Sequence, residues 1–180
     1  MIMALPSSLS ELPLLTQFFC GAIAVCGAYT DYRSGKIYNW LTFPALLIGL
    51  VLALISGFDS LLQSMQGCGV GFLIFFPLYL LGIMGAGDVK LMMAIGAFIG
   101  PASIASVSLV SLLTAGIGAL FLLFYHKRQS EFFRQLLLFI RSLVVPGLAV
   151  QWPKLRTDIT APYGLAILSA LIVQRWMPWL

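Results

Sequence analysis

Long apolar stretches separated by short polar breaks make up most of this 180-residue chain. A helix needs about 20 apolar residues to cross a bilayer, so these stretches predict membrane-spanning helices. We place six candidate spans at residues 13–30, 41–56, 67–84, 89–100, 102–124 and 160–177. The fourth is short, because at about 1.5 Å per residue it reaches only about 18 Å of a hydrocarbon core that is about 30 Å thick. Either local thinning and neighbouring helices help it to cross, or Gly100-Pro101 is a kink in one longer crossing.

Composition agrees with this pattern and indicates the fold class. Hydrophobic residues make up 61% of the chain and charged residues only 9%, whereas soluble domains are about a quarter charged. We therefore predict an all-α polytopic membrane protein with about six transmembrane helices. Residues 1–180 are expected to form a single membrane-embedded domain, with no room for a separate soluble domain. The net charge of +4 is interpreted as a topology signal and not as a sign of nucleic-acid binding.

The basic residues indicate how the spans are oriented. In a six-span arrangement the first, third and fifth loops share one side of the membrane and hold nine of the ten basic residues. These nine are Arg33, Lys36, Lys90, Lys127, Arg128, Arg134, Arg141, Lys154 and Arg156. With five spans, the long basic loop would lie across the membrane from the other three. Because Lys and Arg collect on the cytoplasmic side, we predict six spans, with both termini non-cytoplasmic.

Asp31 and Asp88 are the candidate chemical groups in a chain that has only six acidic residues. A carboxylate at membrane depth costs about 2.5–3.5 kcal/mol on insertion scales, so it is a functional candidate by default. Asp31 follows the first apolar stretch and Asp88 follows the third, which puts both at the cytoplasmic face of the six-span arrangement. Gly85 and Gly87 allow the backbone before Asp88 to bend sharply and to pass close to another segment. Two such carboxylates indicate proton chemistry.

A carboxylate pair can hydrolyse a peptide bond when its two side chains are close enough to share a proton. The ionised carboxylate activates water as a general base, and the protonated one polarises the scissile carbonyl. Two like charges a few ångströms apart cannot both ionise cheaply, so the two pKa values separate and belong to the pair. The alternative for each carboxylate is an ordinary ion pair at a helix end, Asp31 with Arg33 and Asp88 with Lys90.

The other polar residues have structural interpretations. Lys90 is expected to snorkel to lipid headgroups; a counter-charge for Asp88 and a substrate contact are the alternatives. Asn39 is interpreted as a cap for a helix that starts at Trp40, or as a partner of a loop backbone. The remaining acidic residues fall on the opposite side of the membrane or in charged segments. They are Glu11, Asp59, Glu131 and Asp158.

No cofactor or metal site is expected. The chain has a single histidine, and its three cysteines lie inside apolar runs without a CxxC spacing, which argues against a zinc site. The run from Gly85 to Lys90 also lacks the GxxxxGK(S/T) spacing of a phosphate-binding loop.

Between the fifth and sixth spans, apolar residues interleave with arginines, which is typical of a helix lying in the membrane interface. They are Phe132, Phe133, Leu136, Leu137, Phe139 and Ile140, with Arg134 and Arg141. We favour an amphipathic anchor, and the alternative is a dock for a substrate or for anionic lipid.

Three ordered blocks of the sequence resemble the type IV prepilin peptidase family, membrane aspartic proteases with a GxGD motif. The blocks run from Asp31 to Asn39, where Tyr38 replaces the usual proline, from Gly85 to Leu91, and over Pro162-Tyr163-Gly164. The resemblance implies a cofactor-free endopeptidase with two catalytic aspartates and several supporting motif residues. The implied catalytic pair is Asp31 and Asp88, and the supporting residues are Gly85, Gly87, Lys90 and Asn39.

The resemblance also implies the substrate, a prepilin with a short basic leader and a long apolar helix, cut at the cytoplasmic face. The short form of the chain resembles the peptidases of Flp-type (tight adherence) pilus systems, with archaeal preflagellin peptidases second. The paired-cysteine N-terminal block of larger members is not found in the sequence, so methyltransferase activity is not expected. Two other classes stay open: a proton-coupled transporter that uses Asp31 and Asp88 as a relay, and a non-catalytic pilus assembly partner.

Overall fold

Five helices make up the part of the chain that the structure, a computed structural model, describes: residues 14–125 and 163–176. They are α1 (Leu14–Ser34), α2 (Asn39–Ser56), α3 (Phe58–Leu80), α4 (Ala86–Tyr125) and α5 (Tyr163–Trp176). The predicted all-α class is confirmed for these residues. The interfacial segment at residues 132–141 and the acids Glu11, Glu131 and Asp158 lie outside them.

Within the described part of the chain, three helices are long and apolar enough to cross a membrane: Asn39–Ser56, Phe58–Leu80 and Ala86–Phe121. A shorter apolar helix covers Tyr163–Gln174. These lengths and compositions support a membrane protein, while the number of spans and the side on which each terminus lies stay predictions.

The chain divides into two compact units, residues 1–114 with 162–180, and residues 115–161. Of the second unit the structure describes the end of α4, residues 115–125. The candidate site and the core described below belong to the first unit.

Helix α4 is interrupted at Gly100, which has φ 77° and ψ 177°. A positive φ of this size favours glycine, and the following Pro101 has no N–H with which to continue the hydrogen-bond ladder. The boundary predicted between residues 89–100 and 102–124 therefore falls where the helix breaks, although helical residues continue on both sides of Gly100.

The short helical part of α4 before Gly100 is the centre of the core. Its side chains at Leu91, Met92, Ala94 and Ile95 are fully buried, and each of the other four helices contributes at least one buried residue to the same cluster. Because protein covers this segment, it does not need the length of a lipid-facing span, which explains the shortness of the predicted fourth span.

Glycines on the surrounding helices allow this close packing. A Cβ atom added to Gly71 of α3 would lie 2.8 Å from the backbone oxygen of Met92, and one added to Gly49 of α2 would lie 3.1 Å from the Cβ of Ala97. Small residues permit such an approach between helix backbones in membrane proteins. Helix α3 thus reaches the core through its glycines and through Phe75, which is fully buried.

The predicted start of the third span is wrong by nine residues, since α3 begins at Phe58 and not at residue 67. Only Gly57, at φ 126°, separates α2 from α3. The polar residues that suggested a loop are compatible with helix: Asp59 lies in the first turn, where the helix dipole favours an acid. The Ser64 hydroxyl is buried and donates to the backbone oxygen of Ala97 at 2.6 Å.

Candidate active site

Asp31 lies in the last turn of α1, and its backbone oxygen accepts the N–H of Gly35 at 2.7 Å. Gly35 has φ 60°, the left-handed conformation that commonly ends a helix. The side chain of Asp31 is half-buried. Its Oδ2 accepts a hydrogen bond from the backbone N–H of Gly164 at 2.7 Å.

Gly164 is the second residue of α5, where backbone N–H groups have no partner within the helix. A helix N-terminus favours an anion, so the Asp31 carboxylate both satisfies this amide and complements the dipole of α5. A Cβ atom on Gly164 would lie 2.7 Å from the Cα of Ala28 and 3.2 Å from the Cβ of Asp31. Only glycine fits this approach between α5 and α1 without a shift of the backbone.

Asp88 lies in the first turn of α4. The Gly85 N–H donates to Asp88 Oδ2 at 3.0 Å, and the Asp88 N–H donates to the Gly85 oxygen at 3.1 Å. This reciprocal pairing resembles the acidic half of a capping box, in which the third helical residue reaches back to the residue before the helix. The turn therefore fixes one oxygen of a half-buried carboxylate at the start of the core segment of α4.

Asp31, at the end of α1, and Asp88, at the start of α4, lie near one another, because the connection that follows Asp31 closely approaches Gly87 through Ile37, and the two carboxylates interact electrostatically. Each carboxylate has its Oδ2 held by one backbone amide. Within the described residues, no hydrogen bond is recorded to either Oδ1, which leaves that oxygen for a water molecule or a substrate. Burial raises the pKa of Asp31, and the hydrogen bond from Gly164 opposes that rise.

The alternative ion pairs are not found among the described residues. Arg33 donates to the hydroxyl of Tyr29 at 2.9 Å, and Lys90 donates to Asn39. Neither cation is therefore committed to the nearby carboxylate.

Asn39 and Lys90 form a contact that the sequence did not suggest. The Lys90 Nζ donates to Asn39 Oδ1 at 2.8 Å. Asn39 is the first residue of α2, the cap position is Tyr38, and no side-chain cap bond forms there, so the capping role expected for Asn39 is wrong. The snorkelling interpretation of Lys90 did not include this partner either.

Gly87 is placed against the connection between α1 and α2, residues 35–38. A Cβ atom on Gly87 would lie 2.7 Å from the backbone oxygen of Ile37. A side chain there would separate the segment that follows Asp31 from the turn that carries Asp88.

Tyr163 lies next to the site, and the sequence analysis assigned it no role of its own. Its hydroxyl lies 3.0 Å from Ser111 Oγ, and its ring packs edge-on against Phe75 at a centroid distance of 6.0 Å. It also interacts electrostatically with Asp88. Tyr163 and Gly164 belong to the third block of the sequence, which was the available signal for both.

Within residues 14–125 and 163–176, no group of three or more His, Cys, Asp or Glu side chains could hold a metal ion. The acidic groups of the described site are its two carboxylates, each of which accepts a hydrogen bond from a backbone amide. Such a pair can activate a water molecule and polarise a carbonyl group.

Comparisons with known proteins found sequence similarity over much of the chain. The sequence model of the type IV leader peptidase family matches residues 18–124, a range that contains both aspartates. A protein of Aeromonas hydrophila described as "Prepilin leader peptidase/N-methyltransferase" is 38% identical over 117 residues. The match covers 59% of this chain and 40% of that protein, so the chain spans less than half of the relative's length. No solved structure matched the chain significantly.

Proposed function

The chain belongs to the type IV leader peptidase family, and on this premise we propose that it is a membrane aspartic endopeptidase that removes the short basic leader from type IV prepilins. The observation that supports the proposal is that Asp31 of α1 and Asp88 of α4 are half-buried carboxylates near enough to interact electrostatically. The family match covers both, and the relative from Aeromonas hydrophila is described as a prepilin leader peptidase.

In the proposed mechanism, the pair shares one proton. The ionised carboxylate takes a proton from a water molecule, whose oxygen attacks the scissile carbonyl carbon, while the protonated carboxyl donates a hydrogen bond to the carbonyl oxygen. The tetrahedral intermediate then collapses, the C–N bond breaks, and the leaving nitrogen takes a proton from the pair. Gly85 and Gly164 donate to the Oδ2 atoms, so among the described residues the Oδ1 atoms are the oxygens available for these steps.

We place the reaction near the cytoplasmic face of the cell (inner) membrane. The support is the distribution of basic residues, since Arg33, Lys36 and Lys90 lie close in sequence to the two aspartates. The substrate class comes from the family and is compatible with this placement: a leader on the cytoplasmic side would reach the carboxylates while the apolar helix of the substrate stays in the bilayer. Flp-like prepilins, which the sequence resemblance implies, are the proposed members of this substrate class.

Reconstitution of the purified protein in liposomes tests this function. The probe is a synthetic prepilin with a basic leader and an apolar helix, and mass spectrometry of the products locates the cut. We expect one cut between the leader and the apolar helix. Proton flux without cleavage would support the transporter, and binding of the intact prepilin without cleavage would support an assembly partner; both results would contradict the proposed function.

A further inference from the structure

The connection between α1 and α2, residues 35–38, contacts α4 through Ile37, and Asn39 directly after it contacts α4 through Lys90. The connection follows directly after the turn of α1 that carries Asp31. One contact is made to Gly87, the residue before Asp88, and the other to Lys90, two residues after it. The two catalytic candidates are thus joined by a short route through this connection.

The first contact is a close approach of backbones. Ile37 is partly buried and packs against the core, and its backbone oxygen would lie 2.7 Å from a Cβ atom on Gly87. This contact sets how near the connection comes to α4, but it does not by itself prevent sliding along the helix.

The second contact supplies a directional bond. The Lys90 ammonium donates to Asn39 Oδ1 at 2.8 Å, across 51 positions of sequence. Asn39 begins α2 directly after the connection, so the bond ties the far end of the connection to α4. A hydrogen bond with a charged donor is stronger than a neutral one.

The positions of these residues around α4 explain why the two contacts do not involve the side chain of Asp88. Gly87 and Lys90 are three residues apart and therefore lie on one face of the helix. Asp88 is rotated by about 100° from Gly87. The face that binds the connection is thus distinct from the position of the carboxylate.

We propose that Asn39 and Lys90 are positioning residues, whose hydrogen bond holds the connection on α4 and so fixes the separation of Asp31 and Asp88. This Asn39–Lys90 bridge rests on the proposed peptidase function for its effect on catalysis. Its loss lets the two carboxylates drift apart without removing either, and a misplacement of about 1 Å at a reacting centre can cost about 10²-fold in rate.

The test is a double-mutant cycle on prepilin cleavage in liposomes, with Asn39→Leu, Lys90→Met and the double variant. We expect each single change to lower kcat about 10- to 100-fold with little change in KM. The double variant should be no worse than either single one, because all three lose the same bond. Asn39→Asp and Lys90→Arg keep an acceptor and a donor and should recover most of the activity.

Lys36→Met is the matched control, because it removes an exposed lysine from the same connection and should leave kcat unchanged. Losses that add in the double variant, or a raised KM with normal kcat for Lys90→Met, would overturn the proposal; the second result would indicate a direct substrate contact.

A spectroscopic arm separates this proposal from the peptidase function. Nitroxide labels at the exposed residues Tyr32 and Ala86 report the distance between the ends of α1 and α4 by dipolar broadening. In Asn39→Leu and Lys90→Met we expect the distance between the labels to have a larger mean or a broader distribution than in the otherwise unchanged labelled protein or in Lys36→Met. An unchanged distribution would refute the bridge, whether or not the protein cleaves prepilin. Absence of cleavage by the unsubstituted protein would refute only the peptidase function.

Discussion

The close approach of Gly164 to α1 gives the most specific prediction, through the substitution Gly164→Ala. The new methyl group would start 2.7 Å from the Cα of Ala28 and 3.2 Å from the Cβ of Asp31, whereas non-bonded carbon atoms prefer about 3.5–4.0 Å. Relief of the first contact requires the start of α5 to move by about 1 Å. Both backbones at the contact are helical, so no flexible side chain can move aside in their place.

The same movement acts on the hydrogen bond to Asp31. A 1 Å shift lengthens the Gly164 N–H to Oδ2 bond from 2.7 Å to about 3.7 Å, beyond the range in which such a bond forms. A hydrogen bond to a charged group contributes about 1.5–3 kcal/mol, which corresponds to a factor of about 10 to 100. We therefore expect kcat/KM for prepilin cleavage to fall by about that factor.

The assay compares Gly164→Ala with Gly69→Ala by prepilin cleavage in liposomes and by thermal unfolding in detergent. Gly69 is also inside a helix, but a Cβ atom there has no neighbour within 4 Å. In helices, alanine is generally more favourable than glycine by about 0.5–1 kcal/mol, so the control should be active and at least as stable as the original protein. Full activity in Gly164→Ala would refute the assignment of this amide to Asp31.

Three further predictions concern nearby positions. Gly87→Ala should reduce cleavage while the protein stays folded, because its methyl group would meet the backbone oxygen of Ile37 at 2.7 Å; normal kcat would contradict this. Gly71→Ala should lower the thermal unfolding midpoint, since overpacking against the Met92 backbone oxygen at 2.8 Å costs about 1–3 kcal/mol; a midpoint equal to that of the unsubstituted protein would refute it. Burial raises the pKa of Asp31, so the carboxylate pair should keep its shared proton at pH values above about 3.9, the ordinary pKa of aspartate. The value of kcat should therefore fall only when the pH rises beyond about 3.9. A pH–rate profile whose alkaline limb lies at or below about 3.9 would contradict this.

The sequence predicted the helical class well because the lengths of the apolar stretches follow directly from local composition. It also placed a boundary at Gly100, because glycine and the proline that follows it interrupt a helix locally. It missed the helical start of α3 at Phe58, since polar residues such as Ser64 suggested a loop. The hydrogen-bond partner of the buried Ser64 hydroxyl is the backbone oxygen of Ala97, which is distant in sequence. The short segment before Gly100 was ambiguous, because only tertiary packing shows that protein covers it.

For the candidate site, the two aspartates could be selected from the sequence because a carboxylate in an apolar chain is costly. Their partners could not, since each depends on long-range packing. The Gly164 N–H is 133 positions from Asp31, and Asn39 is 51 positions from Lys90. A motif match shows which residues recur together but not which atoms meet.

The cooperation of Asp31 and Asp88 is the central claim, and the measurement that tests it most directly is prepilin cleavage by Asp31→Asn, Asp88→Asn and the double variant. Asparagine keeps the shape and an acceptor oxygen for the amide of Gly164 or Gly85, but it cannot take or give the shared proton. Each single variant should lose about 10²- to 10⁴-fold in kcat, and the double variant should lose no more than the worse single one, because the two residues act as a unit. Cleavage at the normal rate by either single variant would contradict the account.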